Sequence, residues 1–224
     1  MDLEYLIVGI SKENREDFKE FYEKTKVEVY MFAMSIVKDK MLAREIAIET
    51  YKRIYSLAYK FDTDLNAEYW VLDIVKNISI NALKDESLKK FSDNKRVDNL
   101  SGLICKAVID GVEDRGQIVT LKVASELSAG EISQLLWYKK GSASAEYKRA
   151  VKELVGFSYR ENDKNDVVKN LKSDMEAAVP DMWGLIEKGD DTKVSYISHE
   201  EIGIDDDEIA FSEEQEEVAK IKRA

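Results

Sequence analysis

The chain has 224 residues, 44% hydrophobic and 35% charged, with one Pro, one Cys and one His. A single Cys105 excludes an internal disulfide and a Cys-rich zinc site, and with no Gly-rich phosphate loop the composition predicts a non-enzyme without metal or cofactor. The net charge of -11 is uneven: residues 1–155 hold 25 basic and 26 acidic side chains, residues 156–224 hold 9 and 19, so the acidity sits in the tail.

The start carries a short apolar run, Leu6 to Val8, without a basic leader or a small-residue cleavage site. No apolar run reaches the length of a bilayer span, which predicts a cytoplasmic protein that avoids the membrane. Phe18, Phe21, Tyr22, Val29, Phe32, Ala33 and Ile36 recur at three- and four-residue steps, one face of an amphipathic helix. Lys38-Asp39-Lys40 interrupts that pattern. A second helix follows with Ile46, Ala47, Thr50, Tyr51, Ile54 and Leu57 on one side. Residues 62–66 read as a polar loop. A third helix runs from about Ala67 to Leu83 with Trp70, Val71, Ile74, Ile78 and Leu83 inward. The fold class is therefore all-α, and the lone Pro leaves its helices uninterrupted.

Residues 85–99 are mostly polar and read as a linker. A second apolar block covers Leu103 to Leu154. Within it, Ser128 fits a helix N-cap, Glu131 completes a capping box, and Leu127 with Ile132 forms a hydrophobic staple. A short helix, Ala129 to Leu136, a turn over residues 137–140 and a second helix to Leu154 make a helix-turn-helix, whose second helix enters the DNA major groove. An ordinary helical hairpin uses the same caps and spacing. Beyond Gly156 one helix-like island remains, Val167 to Ile186. Pro180 and Asp181 suit the start of a helix there, and Val179, Met182, Trp183 and Ile186 form an apolar face. That face either packs on the second domain or docks a partner. The last residues, with the surface-type His199, are charge-dense and expected to be partly disordered, with a short helix over Glu213 to Ile221.

The segment Ala43 to Asp62 resembles region 2 of the bacterial extracytoplasmic-function sigma factors without a gap. Its Ala43, Glu45, Glu49-Thr50-Tyr51, Arg53 and Phe61-Asp62 fall on the family's recurring features. Trp70, Leu72, Ile74, Asn77, Ile80 and Leu83 are similar to the family's Trp-led helix, and Glu131-Ile132 through Gly141 to Arg149-Ala150 and Leu154 resembles region 4. The resemblance covers about residues 16–155 and implies a region 2 helical bundle (1–90), a linker (91–102), a region 4 helix-turn-helix domain (103–156) and an acidic extension (157–224). It implies a transcription initiation factor that binds core RNA polymerase through Glu45, Glu49, Thr50, Tyr51, Arg53 and Ile54. Asp62, Asn66, Trp70, Asn77, Asn81 and Lys84 would meet the promoter -10 element, the loop capping a flipped base. Lys139, Lys140, Ser142, Ser144, Lys148, Arg149 and Lys152 would meet the -35 element. Core RNA polymerase, promoter DNA and an anti-sigma factor are the implied partners. A second reading keeps Tyr51 and Ile54 in the core.

The sequence departs from the family in one direction. Glu68, Asp73, Asp85 and Glu86 stand where Arg or Lys is common, as do Ser144 and Glu146, while Trp137 replaces a small Gly and Lys139 a capping Ser. Carboxylates repel the phosphate backbone, so these changes predict weakened DNA binding and favour a non-initiating regulator on a sigma scaffold. The acidic tail is expected to act as a lid over the basic patch or as a solubilising extension.

Overall fold

A computed structural model describes residues 2–84, 100–109, 115–139, 141–157 and 163–187. Among them every regular element is helical and none is a strand, as expected of an all-α chain. In order the helices are α1 (Leu3–Ile10), α2 (Arg15–Val37), α3 (Lys40–Leu57), with a 3-10 turn at Ala58–Lys60, and α4 (Ala67–Lys84). After the undescribed linker come α5 (Gly102–Ile104), which runs into a π turn at Cys105–Ile109, then α6 (Arg115–Ala124), α7 (Ala129–Leu135) and α8 (Ser142–Phe157). The tail adds α9 (Lys164–Ala178) and α10 (Trp183–Glu187). The expected short helix near residues 213–221, His199, Asp85 and Glu86 lie outside the described residues.

Local chemistry sets the boundaries. Asn14 Oδ1 accepts the Glu16 and Asp17 amides at 3.0 and 3.4 Å, starting α2. Asp39 accepts those of Met41 and Leu42 at 2.8 and 2.9 Å, starting α3. Between them Lys38 takes a left-handed conformation (φ 57°) and its amide closes on the Met34 carbonyl, which ends α2. Lys38-Asp39-Lys40 thus interrupts the apolar pattern by a C-cap followed directly by an N-cap.

α2 is the central element. It packs against α1, α3, α4 and α6, and its Phe21, Val29, Met31, Phe32, Ala33 and Met34 are wholly buried. Because α6 belongs to the second half of the chain, the buried residues of both halves form one continuous cluster. α6 crosses the π turn closely at Gly116, where a Cβ would stand 2.8 Å from the Val108 carbonyl oxygen. The apolar start is itself a helix, α1, capped by Asp2 and buried through Leu6, Ile7 and Ile10.

The tail island is two helices. Val167, Leu171 and Met175 bury one face of α9, which packs on α5, α6 and α8. Residues 179–182 are not helical, so Pro180 precedes α10 instead of entering it, and Asp181 Oδ1 accepts the Trp183 amide at 3.2 Å. The Trp183 end, expected to pack on the second apolar block, lies instead on α2, with its ring 5.6 Å from Phe18 and 5.3 Å from Tyr22. The Met182 amide donates to the Tyr22 hydroxyl at 3.2 Å, and Arg15 pairs with Glu187 at 2.8 Å.

Candidate functional site

α3 presents an inward stripe of Ala43, Ile46, Ala47, Thr50, Tyr51 and Ile54. Thr50 bonds its hydroxyl to the Ile46 carbonyl, and the Tyr51 hydroxyl meets Thr25 Oγ1 at 3.0 Å. The Tyr51 ring is fully buried against Phe18, Phe21 and Tyr22. Thr50, Tyr51 and Ile54 are therefore core residues that offer no surface to a partner. Glu45, Glu49 and Arg53 step by four along one line of the helix and stand half-buried. Burial pushes the Glu45 carboxyl up, against the opposing pull of Arg44 and Lys52.

In the loop before α4, Asp62 is exposed and accepts the Asp64 amide at 3.0 Å. Asn66 accepts the Tyr69 amide at 3.0 Å, as an N-cap does. Trp70 is half-buried with its ring 5.1 Å from Phe61. Asn77 donates to Asp73, Asn81 is half-buried, and Lys84 is exposed at the end of the helix.

The capped helix, the turn and the second helix form where their residues predict. Ser128 Oγ accepts the Glu131 amide at 3.2 Å, and Glu131 accepts the Ser128 amide at 2.7 Å. Leu127 and Ile132 are wholly buried as the staple requires. Trp137 turns the chain in the left-handed region (φ 57°), followed by Gly141 at φ 88°. α8 buries Ala143, Ala150, Val151 and Leu154 and exposes Lys148, Arg149 and Lys152. Ser142 and Ser144 are half-buried, with the Ser142 hydroxyl on the Lys139 carbonyl. Lys139 is exposed, and Lys140 lies outside the described residues.

The two candidate DNA-facing modules meet directly. Asn66 at the start of α4 donates to Glu131 at 2.8 Å, so one carboxylate serves the N-termini of both α4 and α7. That bonding, led by the Ser128 contact, holds the Glu131 carboxyl below its ordinary range. Glu68 accepts the Glu126 amide on both oxygens, at 2.9 and 3.1 Å. Lys76, only 5% exposed, donates to the Leu135 carbonyl at 3.1 Å and pairs with Asp73 at 2.7 Å. Its ammonium stands 4.5 Å from the centre of the Trp137 ring. A desolvated cation–π contact is worth about 2 kcal/mol, enough to offset the roughly 1–2 kcal/mol of a left-handed non-Gly residue.

The departures from the sigma pattern thus acquire positions. Glu68, Asp73 and Trp137 join α4 to the helix-turn-helix. Glu146 binds Arg115 at 3.0 Å and Arg149 at 2.6 Å, tying α6 to α8 and pairing one of the basic side chains expected at DNA. Sequence reasoning treated Glu68, Asp73 and Glu146 as lost phosphate contacts and Trp137 as a replaced turn Gly, and did not identify Lys76, whose burial only the fold reveals. Among the described residues no cluster of His, Cys, Asp or Glu suits a metal ion, and no helix is long and apolar enough to cross a membrane. Set against protein-family models and curated proteins, the chain matches none.

Proposed function

We propose that the protein is a sigma-like factor that binds core RNA polymerase and directs it to promoter DNA, and that the α4–α7 clasp is its closed resting state. The observation that carries this reading is the capped helix-turn-helix, with Lys148, Arg149 and Lys152 exposed along its second helix. Such a helix is shaped to enter a major groove, and its exposed Lys148 and Lys152 suit phosphates, while Arg149 is shared with Glu146. The gapless residue correspondences with regions 2 and 4 supply the polymerase, and Glu45, Glu49 and Arg53 remain at the surface for it.

A second reading is favoured by the clasp itself. Asn66 is engaged by Glu131, and Glu68, Asp73 and Glu146 spend their carboxylates inside the molecule. A protein kept in that state would bind polymerase, or another regulator, without initiating. The discriminating experiment is a pull-down with core RNA polymerase followed by run-off transcription on genomic DNA, using the full chain and Trp137→Gly. Polymerase binding with transcripts, stronger for the variant, supports the first reading. Binding without transcripts from either protein selects the second, and failure of both proteins to bind polymerase removes the first reading and the polymerase-binding form of the second.

A further inference from the structure

A cleft of about 410 Å³ opens where the tail crosses the start of α3. Tyr30 of α2, Lys40, Met41 and Arg44 of α3 form one side. Leu100, Ser101 and Ile104 around α5, with Asp174, Ala177, Ala178 and Pro180 of the tail, form the other. The volume lies within the range of sites for small organic ligands, about 300–1,000 Å³.

Its polar groups are unevenly spent. Asp174 already takes the Ser101 hydroxyl, and Asp39 nearby is occupied by the two amides that it caps. Both carboxylates keep their charge, but their acceptor oxygens are occupied by local donors. The cations are not: among the described residues neither Lys40 nor Arg44 makes an ion pair or donates a hydrogen bond, and Arg44 Nε is buried without an acceptor. Burial pushes the Tyr30 phenol up to about 12, so its O–H stays a donor at neutral pH. An Nε–H buried without an acceptor is unfavourable, and an anion that accepts from it relieves that cost. Met41, Leu100, Ile104, Ala177 and Pro180 give the rest of the cleft an apolar lining that a bare inorganic anion would leave unused.

We propose that this cleft binds a small organic carboxylate with an apolar body, its carboxylate held by Arg44 and Lys40 with Tyr30 donating, and its body lying against the tail. Arg forms bidentate bonds with carboxylates, which Lys cannot replace. Because α9 and Pro180 form one wall, the ligand would fasten the tail to the first bundle. This inference stands apart from the transcription reading.

The test is calorimetric titration of the full chain with octanoate, against octanol and inorganic phosphate. Saturable octanoate binding is expected, weakened about tenfold by Arg44→Gln and several-fold by Lys40→Gln or Tyr30→Phe, as the loss of a charge-assisted bond implies. Circular dichroism confirms that each variant is folded, and the half-exposed Lys40 provides the substitution with the smallest structural risk. The assignment fails if octanoate gives no saturable heat, if octanol binds equally well, or if Arg44→Gln and Lys40→Gln, both folded, leave the affinity unchanged. Tighter binding of phosphate than of octanoate also overturns it. Octanoate binding only after removal of residues 188–224 would identify the chain's own acidic terminus as the occupant and would equally overturn it.

Discussion

Glu28 lies on α2 beneath the α4–α7 clasp, 5% exposed, with Oε1 buried and unpartnered. Its carboxyl hydrogen-bonds Glu68, which in turn holds the Glu126 amide. Burial, reinforced by Glu68, pushes the Glu28 carboxyl well above the ordinary carboxylate range, so the folded state retains a proton that the unfolded chain releases. The stability linked to this group is fully present below its unfolded value and is lost as pH rises through the folded one. Glu131 has the opposite sign: its lowered carboxyl contributes above its unfolded value and loses that contribution as pH falls. Glu28→Gln keeps a donor for Glu68 without a titrating proton. Thermal denaturation between pH 4 and 8 should show the variant raised by a few degrees at pH 8, little changed at pH 4, with a flatter slope; an unchanged slope would contradict the assignment. None of this was legible in the sequence, where Glu28 sits in a helix rich in acidic residues and only the close approach of α4 and residues 124–126 buries it.

At the scale of the element, caps and close crossings determine where helices stop and meet. Ser128→Ala removes the N-cap of α7 and should cost about 1 kcal/mol. For a chain of this size that lowers the melting temperature by about 2–4 °C. Gly116→Ala should cost about 1–3 kcal/mol, since its new Cβ meets the Val108 backbone instead of a side chain that can swing aside. Denaturant titration measures both, and neutrality of either would remove the corresponding contact from the account. The helices were well legible: the periodicity placed α2, α3 and α4, and the Ser128–Glu131 box fixed α7 to within a residue. The exceptions have physical reasons. α1 was missed because eight residues are too few to display a helical period beside a purely apolar run. Tyr51 and Ile54 matched the family's docking pattern, yet their spacing also fits the inward stripe, and in α3 that stripe is what they fill.

For the whole molecule, the tail and the clasp decide what surface is available. Trp183 packs on Phe18, which also meets Tyr55 at 5.3 Å; Tyr55 lies about three turns beyond Arg44 on α3. The tail therefore runs along one face of the helix from the cleft at Arg44 toward Tyr55, while Glu45, Glu49 and Arg53 follow another line. Trp183→Ala should cost about 2 kcal/mol, less than a fully buried Trp, and should raise hydrogen exchange in α9 and α10 selectively. Uniform exchange across the chain would contradict a separable tail. The sequence made the helices legible but not the contact of α4 with α7, because Glu68, Asp73 and Glu146 read as missing bases, and Trp137 as a replaced turn Gly, until their partners are known. The most direct test of the closed state is a distance measurement between spin labels at Tyr59→Cys on the first bundle and Lys152→Cys on α8, in a Cys105→Ala background. The clasp predicts one narrow distribution in the free protein, and its role as a resting state predicts a shift to longer distance on addition of core RNA polymerase. A broad distribution in the free protein would contradict the clasp, and one that polymerase leaves unchanged would contradict the resting state.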